Sequence, residues 1–321
     1  MRFDVFNGDA DGICALIQLR LAEPLDAQLV TGIKRDINLL EKVNVQAGDK
    51  VVVLDISLEK NLPALNRILD QGAEIFYVDH HRPGDIPDHP ALTALIDTDT
   101  DVCTSLLVDR FLQGRYREWA ITAAFGDNLD RPAIQLANEL SLSKAQTEQL
   151  KQLGICINYN GYGSCIEDLH FPPDELYSEM AGYPSPFDFI NDKAEIYQRL
   201  VDGYDNDMAY AKNIASVYST TSVAVFILPD EAWARRISGV FANELANSYP
   251  DRAHAILSHN RSGGYLVSVR APHTNKTGAD ELCAMFPTGG GRKAAAGINH
   301  LPIETLPQFI ERFEAHYLSF R

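Results

Sequence analysis

Acidic residues and histidines recur at four places in the chain, in patterns that suit a divalent cation. The first is Asn7-Gly8-Asp9-Ala10-Asp11-Gly12 and the second is Asp55, directly after Lys50-Val51-Val52-Val53-Leu54. The third is Asp79-His80-His81, and the fourth is Asp127 in Phe125-Gly126-Asp127-Asn128. Carboxylate oxygens are hard donors and imidazole is a borderline one. The mixture suits Mn²⁺ or Mg²⁺, with the imidazole favouring Mn²⁺. Such sets serve hydrolytic centres in which ions activate water and stabilise in-line displacement at phosphorus. Each piece alone has a plainer meaning. An Asp-x-Asp-Gly is usually a polar turn, an Asp at a strand end often caps a helix, and a His-His pair is more often structural. Their joint occurrence, each beside a predicted strand or helix end, is what points to a metal site.

Residues so dispersed need a scaffold that gathers them. Short apolar runs at 3–6, 28–33, 50–54 and 74–78 read as strands. Segments 13–21, 61–70, 104–112 and 117–125 have helical spacing. Strands alternating with helices predict a parallel α/β sheet. In such a sheet the strand C-terminal ends lie along one edge, where ligands bind. Gly8 and Gly12 are expected to permit a tight turn there. The stretches 158–164 and 171–186 are rich in Gly, Pro, Tyr and Asn and read as loops. Residues 192–213 regain helical character. Strands are then expected at 222–227, 253–258 and 265–270, a helix at 231–248, and a glycine-rich stretch at 288–297. The expected organisation is a parallel-sheet α/β domain over 1–190, a helical connector over 191–214 and a smaller α/β domain over 215–321.

The chain has 321 residues, which at about 150 per domain suggests two domains. Its formal charge of −16 argues against broad capture of long nucleic acid, while leaving room for a local anion pocket. Of the five cysteines none forms a Cys-x-x-Cys pair, which argues against zinc ribbons and thioredoxin-type motifs. The odd count, the lack of a signal-peptide core and the lack of a long apolar run predict a cytoplasmic protein without membrane association.

From Asp79-His80-His81 the sequence resembles the DHH phosphoesterase superfamily. The resemblance extends through Asn7–Gly12, Asp55 and Asp127 in order. It resumes at Gly289-Gly290-Gly291-Arg292-Lys293-Ala294-Ala295-Ala296-Gly297, which looks like the signature of the family's C-terminal DHHA1 domain. It implies two Mn²⁺ ions, with Mg²⁺ or Co²⁺ as substitutes. Asp9 would bind one ion, with Asn7 beside it; Asp55 would bridge both; Asp11, His80 and Asp127 would complete the second site. His81 would face the scissile phosphate, and Asp79 would orient its neighbours. Arg270, Gly289, Gly290, Gly291 and Arg292 would bind substrate. Two positions depart from the pattern. Asn7 is a neutral, weaker ligand where relatives often place an acid, so the first site should bind loosely or fill only with substrate. Arg292 stands where histidine is usual, and arginine can grip a phosphate bidentately.

The implied activity is hydrolysis of phosphate esters in short oligonucleotides or small nucleotides such as pAp. A RecJ-like single-strand exonuclease ranks second, a cyclic-dinucleotide phosphodiesterase follows, and a non-catalytic nucleotide sensor is the alternative from another class. No long nucleic acid is expected as a stable partner; a second copy of the chain is allowed. Lys34 and Arg35 read as a solvated turn rather than a phosphate contact, and Arg131 reads likewise. Tyr159 and Tyr162 read as a packed loop rather than a base-stacking platform. Asp101 reads as the cap of the helix at Thr104, and Cys14 and Cys103 as core residues.

Overall fold

The computed structural model describes residues 1–260 and 263–318. It divides into two compact units, Met1–Tyr204 and Asp205–Arg321.

The first unit contains, in chain order, β1 (Arg2–Phe6), α1 (Ala10–Ala22), β2 (Gln28–Val30), β3 (Lys50–Leu54), α2 (Leu58–Asp70), β4 (Glu74–Asp79) and β5 (Leu92–Ile96). Six helices follow: α3 (Thr104–Phe111), α4 (Arg117–Gly126), α5 (Asp130–Glu139), α6 (Lys144–Asn160), α7 (Pro173–Met180) and α8 (Pro186–Asp192). The next helix, α9 (Ala194–Lys212), contains the division between the units.

The five strands form one sheet in the order β2-β1-β3-β4-β5, every pair parallel. Central strands of a parallel sheet are covered on both faces and need near-continuous apolar runs. Val51, Val53 and Leu54 of β3 and Ile75, Tyr77 and Val78 of β4 meet that requirement and are buried. One face packs on α1, α3 and α4 through Ile13, Leu16, Leu107, Trp119 and Ala123; the other packs on α2 through Leu65, Ile68 and Leu69. Gly154 lets α6 press against α4, because a Cβ there would lie 2.0 Å from the Thr122 carbonyl oxygen. With β1 at the point where the strand order reverses, the crevice beyond the C-terminal ends of β1 and β3 is where such a sheet takes a ligand.

The second unit contains β6 (Tyr218–Ser219), β7 (Val223–Ile227), α10 (Ala232–Ser248), β8 (Ala253–His259), β9 (Tyr265–Arg270), α11 (Ala279–Ala284), β10 (Gly289–Arg292), β11 (Ala295–Leu301) and α12 (Leu306–Leu318). Its sheet runs β10-β11-β9-β8-β7-β6. Only β7 and β8 are parallel among the described strands. Both units are thus α/β, the first built on a parallel sheet. Among the described residues no helix is long and apolar enough to cross a membrane.

Several local expectations are corrected. The half-exposed edge strand β5 was not expected. Residues 173–180 are helical, not loop, because Pro173 occupies the first helical turn, where its missing N–H costs nothing. Residues 158–160 complete α6 rather than opening a loop. Tyr159 is buried there, edge-on to Tyr204 at 5.1 Å.

Candidate metal centre

Three strand ends and the C-terminal end of α4, capped by Asp127, supply the acidic residues. After β1, Asp9 caps α1: its Oδ1 accepts from the Asp11 and Gly12 backbone N–H groups at 3.0 and 3.2 Å. Gly12 does not adopt a left-handed conformation. Glycine is needed there for space, since a Cβ would lie 2.2 Å from the Asn7 carbonyl oxygen. After β3, Asp55 takes φ 57°, a left-handed conformation that aspartate tolerates better than most residues. Its backbone N–H still extends the sheet ladder, donating to the Val78 carbonyl at 3.1 Å. After β4 come Asp79, His80 and His81.

Asp11 reaches a different element. Its Oδ2 accepts from the Thr104 N–H and its Oδ1 from the Ser105 N–H, both at 2.7 Å. It therefore satisfies the first turn of α3, the positive end of that helix. This corrects the role given to Asp101: the capping position is Cys103, and Asp101 pairs with Arg131 instead.

The four motifs converge on one imidazole nitrogen. His80 Nε2 lies 3.4 Å from Asp55 Oδ1, 3.8 Å from Asp127 Oδ2 and 3.9 Å from Asp11 Oδ2. On the other side of the ring, His80 Nδ1 is 3.0 Å from the Val102 carbonyl oxygen. A carbonyl only accepts, so Nδ1 carries a proton and Nε2 is the ring atom left to face the three carboxylates, the orientation a metal-ligating imidazole takes. Carboxylate oxygens and a ring nitrogen grouped in this way suit a cation between them. Donors sharing one ion at about 2.1 Å are separated by roughly 3–4 Å, which is the spacing found. His80, Asp11 and Asp127 form one potential triad, and His80, Asp55 and His81 a second. The donor set thus fits a divalent ion.

Electrostatics agree. Burial, reinforced by the charges of Asp9, Asp11 and Asp127, pushes the Asp55 carboxyl well above the ordinary range. Burial and the Asp11 and Asp9 charges push Asp127 up to about 6. His81 stands half-exposed, and its Nδ1 is 2.7 Å from Asp79 Oδ1. That hydrogen bond raises the His81 pKa above 6.5 against the effect of partial burial.

Lys34 is the residue that the sequence reading misplaced. It is no solvated turn residue: its Nζ sits 2.5 Å from Asp9 Oδ2, 2.7 Å from Asn158 Oδ1 and 3.9 Å from Asp127 Oδ1. Burial raises the Asp9 carboxyl, but the Lys34 charge and hydrogen bond outweigh it and leave Asp9 below its ordinary value. Asn7 is buried nearby; its Nδ2 donates to the Lys34 carbonyl at 3.4 Å, and its Oδ1 has no hydrogen-bond partner among the described residues.

The remaining predicted residues lie in the second unit. Ala295 pairs with Arg292 on one side and Arg270 on the other, so the two arginines share a row and a face of that sheet. Arg270 Nε donates to Asn243 Oδ1 at 2.6 Å, and Arg292 is exposed. Of the three glycines, Gly289 packs where a Cβ would meet the Cys283 carbonyl at 1.9 Å, Gly291 has φ 149°, and Gly290 borders open space. A cavity of about 480 Å³ lies at the opposite ends of the first unit's strands, against Arg2, Lys50 and Glu74. None of the motif residues line it.

Comparison with known proteins places this geometry. Residues 4–136 match the model of the DHH family, N-terminal domain. They form a DHH-family domain. Structures similar to the whole chain include exonuclease RecJ bound to manganese, with TM-score 0.67 and 16% identity over 100% of this chain and 91% of that one. RecJ from Thermus thermophilus in complex with Mn²⁺ gives TM-score 0.64 at 16% identity, covering 100% of this chain and 52% of the other. The pGpG-specific phosphodiesterase PggH from Vibrio cholerae gives 0.57 at 14% identity over 98% and 99%. At these identities the likeness is one of fold. No curated protein sequence matches the chain. The DHH motif itself is Asp79-His80-His81, and the DHH match takes in every acidic and histidine residue of the site described above.

Proposed function

We propose that the chain is a divalent-metal-dependent phosphoesterase acting on short oligonucleotides or small nucleotides. The observation that carries this reading is the set of three carboxylates around His80 Nε2, with the ring held from its other side by the Val102 carbonyl. Asp11, Asp55, His80 and Asp127 would hold the ion. The imidazole favours Mn²⁺, with Mg²⁺ or Co²⁺ able to substitute. When bound, a divalent ion supplies Lewis-acid activation of water and offsets the charge that builds on phosphate oxygens.

The protein groups do the rest. The Val102 carbonyl fixes the ring and tautomer of His80. Thr104 Oγ1, 3.4 Å from Asp55 Oδ1, and the α3 amides on Asp11 hold two carboxylates in place. Asp79 holds the His81 ring through Nδ1, which leaves Nε2–H to donate to a phosphate oxygen or to the departing oxygen. Within the second unit, Arg270 and Arg292, sharing one sheet row, are the proposed phosphate-binding side chains, and Gly290 adds open backbone.

Small substrates are favoured by the charge of −16, which opposes long polyanions. PggH is described as specific for pGpG, a dinucleotide, and that chain is nearly coextensive with this one. A single-strand exonuclease is the second reading, favoured by the higher TM-score to RecJ. The test is Mn²⁺-dependent hydrolysis of pAp, linear dinucleotides, 5′-labelled oligonucleotides up to 20-mers, cyclic dinucleotides and polyphosphate. Asp55→Ala is the control. Turnover confined to the smallest nucleotides supports the reading, and processive loss of long strands moves it to the exonuclease. No turnover of any of them by folded protein contradicts it.

A further inference from the structure

The family resemblance gives Asp9 and Asn7 to a second ion. Both Asp9 oxygens are already engaged, Oδ1 by the backbone amides that open α1 and Oδ2 by the Lys34 ammonium. That ammonium is held from several sides. Asn158 Oδ1 accepts from it at 2.7 Å, and the Tyr162 ring centroid lies 5.8 Å away. The Lys34 backbone N–H donates to the Gly161 carbonyl at 2.8 Å. Asn7, the other expected ligand, has no charge with which to attract a dication, and its amide donates to the Lys34 carbonyl.

We propose that Lys34 is the second cation of the centre: a built-in ammonium replaces one divalent ion, and the chain binds a single ion at Asp11, Asp55, His80 and Asp127. This rests on the metal-centre reading given above. A dication and an ammonium cannot both sit against the buried Asp9 carboxylate without strong repulsion. A lysine ammonium has three donors. Two go to Asp9 and Asn158, and Asp127 at 3.9 Å is too far to take the third. That third N–H serves a phosphate oxygen, where fixed positive charge stabilises the transition state as an ion would.

The test is native mass spectrometry of the full chain titrated with MnCl₂, alongside Mn²⁺ electron paramagnetic resonance. The wild-type chain should saturate at one Mn²⁺ and give no exchange-coupled pair signal. Lys34→Met should free Asp9 and take up two. The charge-balanced Asp9→Asn/Lys34→Met chain leaves no buried unpaired charge. It should bind one ion with an affinity within about threefold of wild type. Two ions in the wild-type chain would overturn the proposal while leaving the metal centre intact. So would a single ion in folded Lys34→Met, or a loss of more than about tenfold in affinity in the double variant. Absence of Mn²⁺ from the wild-type chain would overturn both the metal-centre reading and this one. Should Lys34→Met fail to fold, the wild-type count and the double variant decide.

Discussion

His80 Nδ1 and the Val102 carbonyl oxygen are 3.0 Å apart, and this one hydrogen bond sets the chemistry of the site. It ties Nδ1 to the backbone ahead of α3 and leaves Nε2 facing Asp11, Asp55 and Asp127. The same segment of chain supplies the Thr104 and Ser105 amides that hold Asp11. One helix start therefore positions two of the four proposed ligands.

His80 and His81 should consequently fail in different ways. His80→Gln removes a ligand and should weaken Mn²⁺ binding more than about 100-fold. His81→Gln should leave Mn²⁺ affinity within a few-fold while turnover of the substrate found falls by about 10²–10⁴. Titration calorimetry and steady-state kinetics on the same preparations separate the two.

Asp11 is structural as well as ligating. Asp11→Asn replaces an acceptor with an amide that cannot accept from both Thr104 and Ser105. With one buried backbone donor left unpaired, the first unit should lose about 1–3 kcal/mol. Urea unfolding without metal measures this loss. Mn²⁺ should widen the gap from wild type, since a ligand that binds only the native state adds to its stability.

Gly154→Ala should destabilise the first unit by about 2 kcal/mol or more, as overpacking at a helix crossing does. Neither side of the crossing can yield easily, because the clash is with the Thr122 backbone carbonyl and Gly126 lies against the same contact. Thermal unfolding of the variant reads this directly. An unchanged melting temperature would mean that α4 and α6 are not packed as described.

The second unit carries its own pH dependence. His254 is fully buried in β8, with Arg252 Nε 3.3 Å from its Nε2. Burial, with a smaller contribution from Arg252, lowers its pKa from 6.5 to about 4. The unfolded chain thus takes up a proton that the folded unit refuses. Stability from this group is complete above pH 6.5 and is lost as pH falls toward 4. The loss should reach about 2–3 kcal/mol near pH 4.5. The stability difference between wild type and His254→Gln, from urea unfolding at several pH values, should shift by that amount between about pH 7 and 4.5. A pH-independent difference would contradict the buried, neutral state of His254.

What the sequence made legible was local. Asp9, Asp11, Asp55 and the Asp79-His80-His81 motif each follow a strongly apolar strand, so their types and their common edge could be read together. Lys34 could not. It has no motif around it, and it reaches the site because β2 ends early and Gly161 and Asn158 of a distant helix end receive it. The capping of α3 by Asp11 was hidden for the same reason, since its partners lie more than ninety residues away in sequence. The edge strand β5 is half-exposed and its composition is weakly patterned. At α7 the prolines and tyrosines suggested a loop, whereas Pro173 begins a helix.

The most direct test of the metal centre is a crystal structure of the chain grown with MnCl₂, with anomalous data collected at the manganese edge. The account predicts an anomalous peak within bonding distance of His80 Nε2 and of carboxylate oxygens from Asp11, Asp55 and Asp127. A peak elsewhere, or no peak at these residues in protein saturated with Mn²⁺, would contradict it.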